Sequence, residues 1–161
     1  MKWTVDHSVF VAEIDDQHKE IFEALQRLQA ALGDRAELPE IRRLTQSLTA
    51  NLTGHFAHEE RLMRAVRYGS FHWHKQQHNN ARKRVRQFVR KIDEGHANAG
   101  PELVEYLTKW LHDHTRLTDM MLGAFLRNHE RSMFRLTFRA GTKPMNACTW
   151  TTARGENLEP A

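Results

Sequence analysis

A single cysteine, Cys148, in 161 residues leaves no internal disulfide, no cysteine-based zinc cage and no cysteine-ligated iron–sulfur cluster. Any metal chemistry must therefore rest on nitrogen and oxygen. No apolar run approaches the roughly 18–20 residues of a membrane span, and Asp6 and His7 interrupt the N-terminal stretch where a secretory leader would be apolar. The expectation is a soluble, cytoplasmic protein. Charge of one sign is also missing. The 24 Lys and Arg face 20 Asp and Glu, and most of the net +4 lies beyond residue 130. With 40% hydrophobic and 27% charged residues the chain can bury one core, which excludes a disordered chain. What is abundant is histidine, at eleven residues several times the usual share.

Apolar residues recur at helical spacing in four segments, without strand alternation before residue 130. The first spans about residues 14–32, with Asp15 and Asp16 as caps or first-turn acids and a stripe of Ile14, Ile21, Leu25, Leu28 and Leu32. The second, about 39–66, opens on Pro39 and carries Ile41, Leu44, Leu48, Leu52, Leu62 and Val66. The third, about 71–94, carries Ala81, Val85, Phe88 and Ile92, and the fourth, from Pro101, carries Leu103, Leu107, Trp110, Leu117, Met121 and Phe125. Short connections predict antiparallel neighbours. The fold class is all-α: an up-down-up-down four-helix bundle over residues 1–130 with a C-terminal extension at 131–161.

Ionisable groups interrupt every stripe: His18 on the first, His55 and Glu59 on the second, His74 and His78 on the third, His114 on the fourth with Asp119 five residues on. In an up-down-up-down bundle these positions share one end of the molecule and converge on one level. A lone histidine on an apolar face is usually a satisfied core residue. Five histidines and a carboxylate together would cost roughly 1–3 kcal/mol for each unsatisfied group, which a marginally stable domain does not carry. A metal removes the penalty by accepting the lone pairs. The i, i+4 pairs His55/Glu59 and His74/His78 each present two ligands on one helix face. His114 and Asp119 stand about 140° apart on an ideal helix, so either a π-type bulge brings them together or they approach from opposite flanks. The other histidines, His7, His58, His72, His96, His112 and His129, mostly fall off the stripes or in connections and are expected at the surface.

Five imidazoles with one or two carboxylates exceed a tetrahedral zinc site and are too rich in nitrogen for calcium or magnesium. Two transition metals fit best. If Glu59 and Asp119 bridge both ions together with one solvent-derived oxygen, the ion with three imidazoles has six ligands and the ion with two has five. The one open position suits a small diatomic ligand. Carboxylate-rich di-iron bundles that cleave oxygen use Glu-x-x-His pairs, and this sequence contains none. Histidine-rich ligation argues for binding dioxygen and releasing it.

These residues stand in the runs Ile14-Asp15-Asp16-Gln17-His18, His55-Phe56-Ala57-His58-Glu59-Glu60-Arg61-Leu62-Met63, His74-Lys75-Gln76-Gln77-His78 and Trp110-Leu111-His112-Asp113-His114 with Asp119. Over about residues 3–126 the chain closely resembles the bacterial hemerythrin family, di-iron oxygen-binding proteins. The resemblance implies that His74, His78 and His114 hold one iron, His18 and His55 the other, and that Glu59 and Asp119 join them with an oxo or hydroxo bridge. It implies reversible binding of dioxygen, for carriage, storage or delivery to an oxygen-consuming enzyme, and no enzymatic turnover. A sensor that signals through the C-terminal tail, or an enzyme consuming peroxide or nitric oxide, is the alternative. Thr115 stands where the family commonly has isoleucine and is expected to line the oxygen pocket; Trp110 is expected one layer behind the ligands.

From Arg131 the chain holds five basic and two acidic residues, two prolines and two glycines, and is read as flexible or as docking a partner. Met133 to Arg139 alternates apolar and polar residues like a short strand. The basic residues Arg82, Lys83, Arg84, Arg86, Arg90 and Lys91 ring the side opposite the third stripe, as on a solvated face, so no nucleic acid is expected.

Overall fold

A computed structural model describes the backbone of residues 2–139 and the side chains of residues 2–132. A single 3-10 turn, Val5–His7, precedes four long helical arms: α1 (Ala12–Gly33), α2 (Leu38–Ala65), α3 (Phe71–Asp93) and a fourth arm made of α4 (Ala99–His114), a π-helical turn (Thr115–Asp119) and α5 (Met120–Arg139). α1 packs on α2, α2 on α3, α3 on α4, and α4 closes the ring on α1. This is the expected up-down-up-down bundle.

The first three arms end in the same way. The amide of Ala36 donates to Ala31 (2.8 Å), that of Tyr68 to Met63 (2.8 Å) and that of His96 to Lys91 (3.0 Å). Each closure places the preceding residue, Arg35, Arg67 or Gly95, at positive φ. Only the third uses glycine, so Gly33 is the last residue of α1 and not its left-handed cap.

The expected stripes form the core on α1, α2 and α3, except that Leu32, Leu62 and Val66 are only half-buried and late α2 buries Phe56 and Met63 instead. The fourth changes partway. Leu103, Leu107 and Leu111 are buried, but Leu117 is 66% exposed and Met121 53%, against the sequence expectation. The π turn is the cause. It inserts one residue into the helical repeat, so after it the inward positions become Thr118, Asp119, Leu122 and Leu126. Helix α5 runs through Arg139, so Met133 to Arg139 is helical and not a strand. The rest of the expected extension, 140–161, lies outside the described residues.

Two apolar clusters flank the polar level. The larger runs from Ile21 to Leu28 on α1 through Leu44, Leu48, Leu52 and Phe56 to Leu103, Leu107 and Leu111. The smaller closes the other side with Val9, Val11, Ile14, Met63, Tyr68, Leu122 and Leu126. Its N-terminal residues are clamped by Asp15. That carboxylate is buried and accepts hydrogen bonds from the Ser8 hydroxyl (2.6 Å) and the amides of Val9 (2.7 Å) and Phe10 (3.1 Å). Asp15 therefore holds the arm that enters α1 and leaves the helix amides uncapped. The arm crosses α5 at Gly123, where a Cβ would stand 2.5 Å from the Val9 carbonyl oxygen, and Arg127 donates to that same carbonyl.

Leu122→Ala is expected to cost about 2–5 kcal/mol, while Leu117→Ala and Met121→Ala stay within about 0.5 kcal/mol of the parent. Urea denaturation measures all three, and the reverse ranking would remove the register shift. Asp15→Ala leaves the buried Val9 amide and Ser8 hydroxyl without their acceptor, while the Phe10 amide keeps the Ser8 oxygen, and is expected to cost roughly 1–3 kcal/mol. Asp16→Ala, at an exposed position in the same turn, serves as the control.

Candidate metal centre

The sequence places its ligand candidates on four arms, and the bundle brings all seven to one level. His18 comes from the second turn of α1, His55 and Glu59 from late α2, His74 and His78 from early α3, and His114 and Asp119 from the two sides of the π turn. A π turn closes residue i onto i+5, so His114 and Asp119 stand one above the other. That settles the choice between a bulge and opposite flanks. Their Nε2 and Oδ1 atoms are 3.1 Å apart.

All seven side chains are buried. They form two overlapping groups, each with its donor atoms within 4.8 Å of one another: Glu59, His74, His78, His114 and Asp119 in one, His18, His55, Glu59 and Asp119 in the other. Both carboxylates belong to both groups. The two oxygens of Asp119 divide between them, Oδ1 lying 3.1 Å from His74 Nε2 and Oδ2 3.3 Å from His18 Nε2. Glu59 Oε2 lies 3.2 Å from His78, 3.3 Å from His74 and 3.7 Å from His55.

These atoms are close without being hydrogen-bonded. Both oxygens of Glu59 and of Asp119, and Nε2 of His18, His74, His78 and His114, are buried with no hydrogen-bond partner. Left so, each would cost roughly 1–3 kcal/mol. A shared ion accounts for both the spacing and the missing partners. Two donors at right angles on an ion about 2.1 Å from each lie about 3 Å apart. The donor set, five nitrogens and four oxygens, fits a pair of first-row transition ions.

Electrostatics point the same way. Burial opposes charge on His74, but Asp119 and Glu59 outweigh it and raise the imidazole to about 9. His55, where burial dominates, falls to about 3. Burial also opposes the charge of the two carboxylates, yet the surrounding imidazoles hold both below the ordinary carboxyl range. Without a cation, the site carries two buried anions compensated only by partial protonation of histidine.

Behind the donors stands a second layer. Trp110 stacks on His114, centroids 4.1 Å apart, and Phe56 stacks on His78 at 4.2 Å. The Thr115 hydroxyl is buried and donates to the Leu111 carbonyl at 2.8 Å, so its hydrogen is committed to the helix. Gln17 Oε1 lies 3.2 Å from His55 Nδ1, and Glu60 Oε1 3.4 Å from His78 Nδ1. Sequence reasoning singles out neither. Glu60 is readable only as the next step of a Leu52–Phe56–Glu60 line at i+4 beside the main stripe. Among the other histidines, His7 departs from expectation: it is buried, with its ring 4.8 Å from that of Phe22 and 5.8 Å from that of His112. His58 and His112 are half-buried but turned away, His58 toward Glu13 (3.3 Å) and His112 toward Arg116 (3.3 Å). Lys83, Arg84, Arg86, Arg90 and Lys91 lie along α3 away from the core, and no described helix is long and apolar enough to cross a membrane.

Residues 9–126 match the family described as Hemerythrin HHE cation binding domain. The chain is 30% identical over 129 residues to the bacteriohemerythrin of Methylococcus capsulatus, covering 78% of this chain and 96% of that one. It is 30% identical to the hemerythrin of Themiste dyscrita over 118 residues, 73% of this chain and 86% of that one. The bacteriohemerythrin of Pseudomonas aeruginosa is 32% identical over 117 residues, 73% of this chain and 75% of its own.

After reconstitution with iron(II), His78→Ala and Glu59→Ala are expected to lose most of the metal, whereas His58→Ala and His112→Ala retain nearly all of it. Iron per chain after desalting measures this. Equal losses in both pairs would overturn the assignment of faces.

Proposed function

The chain belongs to the hemerythrin family, and from that premise we propose that it binds dioxygen reversibly at a di-iron centre, for carriage, storage or delivery to an oxygen-consuming enzyme. In this reading His74, His78 and His114 hold one iron, His18 and His55 the other, and Glu59 and Asp119 serve both. When bound, a pair of ferrous ions supplies the electrons that dioxygen takes up on binding and returns on release. The observation that carries the reading is the inequality of the two groups. Three imidazoles converge on one and two on the other, with both carboxylates shared, which leaves the two-histidine side short of one donor.

The chain's own residues support release over reaction. Apolar side chains close the level from both ends, Phe22, Leu25 and Phe56 from one cluster and Ile14, Met63 and Leu122 from the other. A dry, apolar surround slows loss of bound ligand to water. Thr115, placed in the oxygen pocket in this reading, has its one hydroxyl hydrogen engaged by Leu111 and none to offer a ligand. Trp110 stiffens His114 by stacking on it. A nitrogen-rich donor set favours an oxygen binder over an oxygen-cleaving enzyme.

One observation favours sensing as a second reading. Asp119 ends the π turn, and α5 continues from Met120 to Arg139 without interruption. A change at the shared carboxylate therefore has a helical path toward the C-terminal segment.

The test is the visible spectrum of reduced, iron-loaded protein before oxygen, after oxygen and after sweeping with inert gas, with iron assayed on the same sample. The expected outcome is a charge-transfer band that appears with oxygen and vanishes on sweeping, at two irons per chain. Irreversible conversion to a ferric spectrum would overturn reversible binding and move the assignment to sensing or turnover.

A further inference from the structure

The imidazoles of the centre differ in what stands behind them. A neutral imidazole carries one proton, and a metal can use Nε2 only when that proton is on Nδ1. Whatever faces Nδ1 therefore decides both the tautomer and how strongly Nε2 donates. Behind His55 it is the neutral amide oxygen of Gln17. The Nδ1 atoms of His18 and His74 are buried without a hydrogen-bond partner. Behind His78 stands an anion, Glu60, only 7% exposed.

Glu60 is built in place. The same oxygen that faces His78 accepts a hydrogen bond from Arg82 Nη1 at 2.8 Å, and Oε2 lies 3.7 Å from Arg64 and 3.8 Å from Lys75. The Arg82 guanidinium covers one side of the Phe56 ring, 5.1 Å from its centroid, and that ring stacks on His78.

We propose that Glu60 is a positioning residue for the metal centre: it accepts a hydrogen bond from the Nδ1–H of His78, fixes Nε2 as the donor, and makes the three-histidine side richer in electrons than the two-histidine side, to a degree set by Arg82. A carboxylate behind a ligating histidine raises its basicity, and a more basic ligand stabilises the higher oxidation state. Arg82 opposes this by drawing on the same oxygen. The pair is thus an adjustable counterweight on one of the two ions, and it rests on the reading of His78 as an iron ligand.

Two substitutions pull the counterweight in opposite directions. Glu60→Gln keeps the size and the acceptor but removes the negative charge. The reduction potential of the iron centre is expected to rise and iron affinity, from chelator competition, to fall roughly tenfold to a hundredfold. Arg82→Gln leaves Glu60 charged beside Lys75 and Arg64 but frees Oε1 for His78, and the potential is expected to fall. Thermal melting of both apoproteins is recorded alongside. If Glu60 and Arg82 only tie α2 to α3, both variants lose stability together and neither moves the potential. Unchanged potentials, or shifts of the same sign, overturn the proposal. An unmodified protein that takes up no iron would instead overturn the di-iron reading itself, so the two failures are distinguishable.

Discussion

Both oxygens of Glu59 and Asp119 and the Nε2 atoms of four histidines are buried in one layer between the two apolar clusters, without hydrogen-bond partners. At roughly 1–3 kcal/mol for each unsatisfied group, that layer weighs as much as the whole net stability of an ordinary domain, about 5–15 kcal/mol. A cation that accepts those lone pairs turns the largest liability of the fold into a link between all four arms. The two carboxylates matter most here. Each belongs to both groups of donors, so neither ion site can be assembled without positioning part of the other.

The end of the bundle beyond that layer is built to close it. Asp119 can reach the layer only because the π turn adds a residue, and the same extra residue carries Leu122 and Leu126 inward to cap it. The inserted residue has a local cost, since π-type bonding is a rare and less favourable repeat, and in return it places one carboxylate in both donor groups and two leucines in the core. The N-terminal arm completes the cap. It is held by the Asp15 carboxylate on one side and fits over α5 only where Gly123 lacks a side chain. Sealing the site therefore depends on residues from the two ends of the bundle's sequence.

Most of this architecture is legible in the sequence, and the exceptions trace to places where spacing stops mapping onto direction. The repeat of Ile21, Leu25 and Leu28 or of Ala81, Val85, Phe88 and Ile92 identifies a buried face because a regular helix converts one into the other. The ligands stand out as polar interruptions of those stripes. The same mapping puts Leu117 and Met121 inside, and it fails there because the helix is not regular between Thr115 and Asp119. The five-residue spacing of His114 and Asp119 signals that irregularity, but a stripe counted on an ideal helix carries no correction downstream of it. His7 reads as a surface residue because a one-turn segment has no stripe. Glu60 is hidden by its neighbour: in an adjacent pair of glutamates only one lies on the main stripe, and the other becomes visible only once α3 brings Arg82 and His78 against it.

The inequality of the two groups runs through several layers of the molecule. It begins with ligand number, three imidazoles against two, and continues behind the ligands with an anionic carboxylate on His78 against a neutral amide on His55. Both differences act in the same sense. Under the proposed roles, the side with more nitrogen donors also has one of them, His78, backed by a carboxylate, and would be the better able to stay oxidised. The side with fewer donors keeps room for a ligand. A site that takes up a small molecule and gives it back gains from that division, because the ion that meets the ligand need not be the one that best tolerates the loss of an electron.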